Sequence, residues 1–268
     1  MNSETVSIIL HVMSQGLIYS LVVLAVFITS RVIKFDDLTT EGSFGLGGAI
    51  SAISASLGLA IPLSLLGGFV AGAITGLLHT RLKINNLICG LVVTTGLFSI
   101  CLKMAGANLV LAHQEAFFVG ATVIVVIYLA VQMLLQSEFG LLVKALGCNP
   151  QMLTSLAKNV DGYKVCAIAF ANALTALAGA LLVQWNGYYS ITANIGTLII
   201  GLAGLIIAEA LCKKALFGLI LGAIIYQGIF ALTIECELEP VWNNLIKAVL
   251  IVLLIQMRSK EVSHVTLR

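Results

Sequence analysis

Residues 165–208 read VCAIAFANALTALAGALLVQWNGYYSITANIGTLIIGLAGLIIA, 44 positions without one Asp, Glu, Lys, Arg or His. About 20 apolar residues cross a bilayer as a helix, so this run predicts two crossings, over 162–184 and 192–211. A second uncharged run, the 37 residues 42–78, predicts two more. The remaining apolar segments add helices at 15–33, 86–106, 116–136, 215–234 and 241–257, which brings the expectation to nine spans, with 42–58 and 61–79 drawn from the second run. A short amphipathic helix over 3–14 is expected before the first.

Composition agrees. The chain of 268 residues is 60% hydrophobic and 10% charged, with a mean hydropathy of +1.09, whereas soluble domains carry about 25% charged residues. In lipid every backbone N–H and C=O needs an internal partner, and no stretch alternates as barrel strands do, so the spans must be helical. The expected fold is all-α: one transmembrane domain over 1–268, a polytopic helix bundle in which one span is a candidate for being broken.

Charge sets the orientation. Arg31, Lys34, Arg81, Lys83, Lys144, Lys158, Lys164, Lys213, Lys214, Arg258, Lys260 and Arg268 fall in alternate loops and account for 12 of the 14 Lys and Arg. The other loops hold Glu4, His113, Glu115, Glu235, Glu237 and Glu239 and no Lys or Arg. Positive loops stay in the cytoplasm, which predicts an outside N-terminus and a cytoplasmic C-terminus. A net charge of only +2 offers no footprint for nucleic acid. The opening MNSETVS lacks the basic start of a cleaved signal peptide, so none is expected.

Several polar residues sit where lipid would penalise them. The segment FDDLTTEGSFGLGG, 35–48, packs Asp36, Asp37, Thr39, Thr40, Glu41 and Ser43 between apolar runs. It reads equally as a cytoplasmic turn with helix-capping acids or as the start of a broken helix facing a watery cavity. Lys247, with Asn243 and Asn244 a turn before it, must face protein, water or an acidic partner. Lys103 and Glu209 lie near predicted helix ends, where snorkelling accounts for them. Trp185, Tyr188 and Tyr189 fit an interfacial aromatic belt. Glycines at 68, 72 and 76, and again at 218 and 222, place small residues on one helix face and predict close packing, within one subunit in preference to between subunits.

Enzyme signatures are missing. The sequence has no GxxxxGK[ST], HExxH or GxSxG, its four histidines stand far apart, and its six cysteines, none in CxxC spacing, read as packed thiols. If ATP drives this chain, the hydrolysis belongs to another subunit, which would use the ATP and Mg; no cofactor is expected here.

The longest polar interlude, EFGLLVKALGCNPQMLTSLAKNVDGYK over 138–164, is too long for a tight connection and too short for a domain. Gly147, Asn149 and Pro150 can end one helix and begin another. Met152, Leu153, Leu156 and Ala157 then fall on one face of a short amphipathic helix. Lying on lipid headgroups and docking a partner are the two readings of such a helix.

Three stretches carry a family likeness. DDLTTEGSFGLGGAISA resembles the D-L-[ST]-x-x-G-S motif after an early span, GLLHTRLKINNLICGLV resembles a basic turn and its next helix, and 145–211, ALGCNPQMLTSLAKNVDGYK through IIGLAGLIIAEAL, resembles a coupling region with the helices that follow. The likeness they carry extends over most of the chain, which resembles the permease subunits of bacterial ABC importers of the branched-chain amino acid and simple-sugar type. TTEGSF, GLLHTRLKIN and ANIGTLIIGLAGLIIAEAL are most similar to the compact permeases described as tryptophan/tyrosine transporters. Cys148 departs from the charged or polar residue usual before Asn149.

The resemblance implies a homodimer in the bacterial inner membrane, two copies of a separate ABC ATPase and a periplasmic or lipoprotein solute-binding protein. It implies that Asn149, Pro150, Met152, Leu153, Leu156 and Ala157 couple to the ATPase. Candidate path residues are Asp37, Thr39, Thr40, Glu41, Ser43, Asn243 and Lys247; candidate contacts for the binding protein are Asn186, Tyr188, Glu235 and Glu237. Aromatic amino acids are the cargo implied, with branched-chain amino acids, sugars and nucleosides as alternatives. The rival classes are an ion-coupled carrier or channel built on Asp37, Glu41 and Lys247, and a structural scaffold.

Overall fold

The structure, a computed structural model, describes residues 3–54, 56–111, 117–211, 216–235 and 249, with side chains for 10–54, 56–111, 120–211, 216–231 and 249. It is a multi-pass all-α bundle. In chain order the elements are α1 (Ser3–Val26), a π-helical segment (Phe27–Val32), α2 (Thr39–Ile53), α3 (Leu57–Leu82), α4 (Asn86–Ala105), β1 (Asn108–Val110), α5 (Phe117–Gln136), α6 (Glu138–Cys148), α7 (Pro150–Ser155), α8 (Val160–Asn186), β2 (Tyr188–Ser190), a 3₁₀ turn (Ile191–Asn194), α9 (Thr197–Leu211) and α10 (Leu216–Glu235).

Among the described residues five helices are long and apolar enough to cross a membrane, and six if α5 and α6, bent by 70° at Ser137, count as one span. Of the expected span over 241–257 only residue 249 is among the described residues. That expected over 42–58 is replaced by α2, whose 15 residues reach only about 22 Å. The helix expected over 3–14 is not separate either, because α1 runs unbroken from Ser3 into the π-helical segment.

At the centre stands α8, 83% of whose apolar window is buried, against 28% for α4. Its sequence explains the position. Ala167, Ala169, Ala171, Ala173, Ala176, Ala178, Gly179 and Ala180 are small on every side and all buried, so neighbours approach α8 from all directions. Gly68 and Gly72 of α3 pack against Ala169, Asn172 and Ala173, and Gly76 against Val165. Gly222 of α10 lies on Gly204 and Ala208 of α9. These small-residue faces therefore serve packing within one subunit. On its other side α8 meets α2, where a Cβ on Gly47 would strike the Ala176 carbonyl.

The two ends of the bundle differ. At one, Arg31 closing the first span donates to Glu209 of α9 at 2.5 and 2.9 Å, so Glu209 is half of an ion pair. At the same end Lys164 of α8 meets His79 of α3. At the other end β1 pairs antiparallel with β2, Asn108 opposite Ser190, tying the end of α4 to the end of α8. Of the basic residues predicted for one side, Arg31 and Lys164 thus lie at one end, while Lys213, Lys214, Arg258, Lys260 and Arg268 lie outside the described residues. The aromatic belt is corrected: Tyr188 is exposed, but Tyr189 is buried beside Leu46, Val183 and Ile191, because alternate strand residues face opposite ways.

Candidate functional site

Between the π-helical segment and α2, residues 33–38 run as irregular backbone at the edge of the bundle, with Phe35 and Asp37 buried and Lys34 and Asp36 exposed. Such backbone survives at membrane depth only when protein satisfies its polar groups. Asp37 does much of this. One carboxylate oxygen accepts from the Thr39 N–H (2.8 Å), capping α2, and the other from Asn172 Nδ2 (2.6 Å) in the middle of α8. Asn172 passes the contact on, since its Oδ1 accepts from the Ser43 hydroxyl at 2.6 Å.

Threonines extend the group outward. Thr39 and Thr75 of α3 share a hydrogen bond of 2.8 Å between their hydroxyls, Thr40 donates to the Asp37 carbonyl (3.0 Å), and Thr94 of α4 donates to the Leu38 carbonyl (2.9 Å). Glu41, half-buried, accepts from the Gly196 N–H at 3.0 Å, at the loop leading into α9. One knot of short polar side chains therefore fastens α2 to α3, α4, α8 and the start of α9. Four of the expected path residues, Asp37, Thr39, Thr40 and Ser43, are buried in it and bonded to protein. Of the two sequence readings, the helix-capping acid is met, since Asp37 caps α2 and Asp36 beside it is exposed, while the polar groups of these four are taken up by protein. Asn172, Thr75 and Thr94 belong to the knot too. Sequence reading missed them because each is a small polar residue within a long apolar run and its partner is distant in the chain. Asn243 and Lys247 lie outside the described residues.

The 138–164 interlude is two helices, α6 and α7, followed by a turn into the first residues of α8. Asn149 caps α7, its side-chain oxygen accepting from the Gln151 and Met152 N–H groups at 3.1 and 3.4 Å, and Pro150 occupies the first turn, where its missing N–H costs nothing. The helix ends in a Schellman arrangement: Lys158 N–H donates to the Leu153 carbonyl and Ala157 N–H to the Thr154 carbonyl, both at 3.0 Å, with Ala157 at φ +53°. The expected single apolar face divides. Leu153 is buried among Val32, Ile33, Phe35, Val143, Leu146, Ala167 and Ile168, whereas Met152 and Leu156 are exposed, at 54% and 55%. Ala157, exposed as well, is spent on the turn.

This unit is fixed to the loop that feeds the knot. Gly147 of α6 touches the Val32 carbonyl so closely that a Cβ would collide with it. Lys144 donates to the Leu135 carbonyl at 2.8 Å, capping α5. His79 Nδ1 lies 2.9 Å from the Ile84 carbonyl, an acceptor only, so Nδ1 carries the proton and Nε2 accepts from Lys164 Nζ at 2.8 Å. The Phe35 ring packs edge-on to His79 and beneath Lys164. Beside α7 a groove of about 420 Å³ opens between α3 and α8, with Thr80, Arg81, Asn159 and Asp161 in its lining.

At the opposite end Asn186 is half-buried and Tyr188 exposed; the Glu235 side chain and Glu237 lie outside the described residues. Among the described residues Cys89, Cys101, Cys148 and Cys166 are free thiols, and no three His, Cys, Asp or Glu stand where they could hold a metal.

Residues 8–255 match the family described as branched-chain amino acid transport system / permease component. The chain belongs to that family. It is a permease, a transport subunit of the kind that works with ATPase and solute-binding partners. It is 35% identical to the tyrosine transport system permease protein of Clostridioides difficile (strain R20291), over 82% of this chain and 80% of that one. It is 25% identical to an uncharacterised protein of Rickettsia prowazekii (strain Madrid E), over 91% and 95%. A nucleoside ABC transporter permease of Lactococcus lactis subsp. cremoris (strain MG1363) is 32% identical over 37% of this chain and 33% of its own length. No solved structure matches.

Proposed function

We propose that this permease is the membrane subunit of an ATP-binding-cassette importer that carries an aromatic amino acid, tyrosine foremost, across the bacterial inner membrane into the cytoplasm. The observation carrying the reading is the α6–α7 unit: an amphipathic pair braced on the bundle by Leu153 and Gly147, with Met152 and Leu156 left outside as an apolar grip. Exposed apolar side chains on a capped, rigid helix favour a protein partner. The tyrosine permease relative supports the cargo.

In this reading two copies of the chain enclose the path, and two ATPases, using ATP and Mg, seat on the paired α7 helices, which lie at the cytoplasmic end with the basic residues. Movement of α7 reaches the 33–38 loop through Leu153 and Gly147, and so reaches the knot at Asp37 and Asn172. The binding protein docks at the opposite end, near Asn186 and Tyr188. Thr39, Thr40, Ser43 and Asp37 then act as the fastening behind the path, transmitting movement without touching the solute.

Uptake into proteoliposomes tests this. Radiolabelled L-tyrosine, with its binding protein on the outer side, should enter only when the ATPase is present with Mg-ATP on its own side. Uptake by this chain alone under an ion gradient would overturn the reading in favour of a carrier.

A further inference from the structure

α4 presents two unlike faces. Cys89, Gly90, Val93, Leu97, Cys101 and Ala105 are buried against the bundle. At about 100° per residue, Thr95 and Ser99 fall within roughly 25° of the direction opposite to that group's mean. Both are exposed, and Thr95 lies at the middle of the 20-residue span. Gly96 beside them has nothing within 4 Å of where a Cβ would be, and Lys103, also exposed, continues the row one turn beyond Ser99.

A lipid-facing surface in the same bundle looks different. α3 exposes Leu59, Leu63, Leu66, Val70, Ile74 and Leu77, and no polar side chain is exposed between Leu57 and Leu77. On α4 the hydroxyl protons are held by the helix itself, Thr95 donating to the Leu91 carbonyl at 2.8 Å and Ser99 to the Thr95 carbonyl at 3.4 Å. Their oxygens keep acceptor capacity on exposed side chains, and hydrocarbon offers them nothing. Lys103, in the last turn of α4, reaches the interface by snorkelling, so Thr95 and Ser99 carry the mismatch.

We propose that this outward face of α4 is the solute-facing wall of the translocation path, closed by the same face of a second copy. Thr95 and Ser99 meet the polar end of a zwitterionic solute there, and neighbouring apolar residues such as Leu91 and Phe98 meet its side chain. Thr94, one residue from Thr95, bonds the Leu38 carbonyl, so the knot braces this wall from behind. The proposal rests on the importer reading for its solute, and on the two faces of α4 for its place.

Thiol labelling of the full transporter in membrane vesicles separates the two. Thr95→Cys, Ser99→Cys and, on the lipid face of α3, Val70→Cys are each made in a background with Cys148, Cys166, Cys212 and Cys236 replaced by Ser and treated with a charged methanethiosulfonate, with buried Cys89 and Cys101 as internal controls and the background itself shown to keep its uptake under the reagent. Because the thiolate is the reactive form and an apolar setting suppresses it, positions 95 and 99 should react about tenfold faster than position 70 or more, and labelling them should abolish L-tyrosine uptake. Labelling at the rate of Val70→Cys, with uptake intact, would overturn the proposal and leave the importer standing. Absence of ATP-driven uptake in the unmodified transporter would overturn the importer reading instead, while the labelling rates still decide whether this face meets water.

Discussion

Asp37 shows what one side chain can organise here. It satisfies the buried Thr39 N–H and Asn172 Nδ2, and an unpaired buried donor costs about 1–3 kcal/mol. Asp37→Ala should therefore destabilise the purified protein by about 2–6 kcal/mol, the sum of two such losses, seen as a lower thermal midpoint. Ala157 is the opposite case. It occupies the left-handed turn after α7 at φ +53°, a conformation that a Cβ penalises, so Ala157→Gly should stabilise the segment by up to about 1 kcal/mol. Slower amide hydrogen exchange across α7 would register the gain. At this scale the sequence exposed Asp37, because an acid amid apolar runs is conspicuous. It hid Asn172, whose partner lies 135 positions away.

At the scale of elements, α7 was legible as a short helix with its cap and its proline, but not as a helix with a divided surface. Six residues make fewer than two turns, and such a piece has no settled apolar face until a tertiary pocket claims one side chain. The pocket built by Val32, Phe35, Val143 and Ile168 claims Leu153. Leu153→Ala should then cost about 2–5 kcal/mol, whereas Leu156→Ala should change thermal stability by no more than about 0.5 kcal/mol, as exposed substitutions do. Gly147 carries a further expectation. A valine there must displace the Val32 carbonyl, an overpacking that costs about 1–3 kcal/mol, and Gly147→Val should lower ATP-driven uptake more than it lowers ATPase binding, because it loosens the seat while leaving Met152 and Leu156 outside. α2 escaped the sequence for a related reason. Its apolar residues, glycines and small polar residues read as a span, yet the glycines are there to let its backbone lie on α8, with Gly47 on Ala176.

For the whole molecule, composition and the charge-free runs made a helical membrane bundle evident, and the segregation of basic residues anticipated which helix ends lie together. What they could not convey is the layering, in which α8 is enclosed and α4 stands at the rim. Hydropathy reports the solvent a helix tolerates, not whether lipid or other helices supply it. The account joins these levels through one mechanical line: partner to α7, α7 to the 33–38 loop, loop to the knot. Its entry point is the pair of apolar side chains outside the bundle. The decisive measurement is ATPase retention by the affinity-purified chain and its Met152→Asp/Leu156→Asp variant, each co-expressed with the partner ATPase and compared at equal thermal stability. The native chain should retain the ATPase and the variant should lose it; equal retention by both would contradict the account.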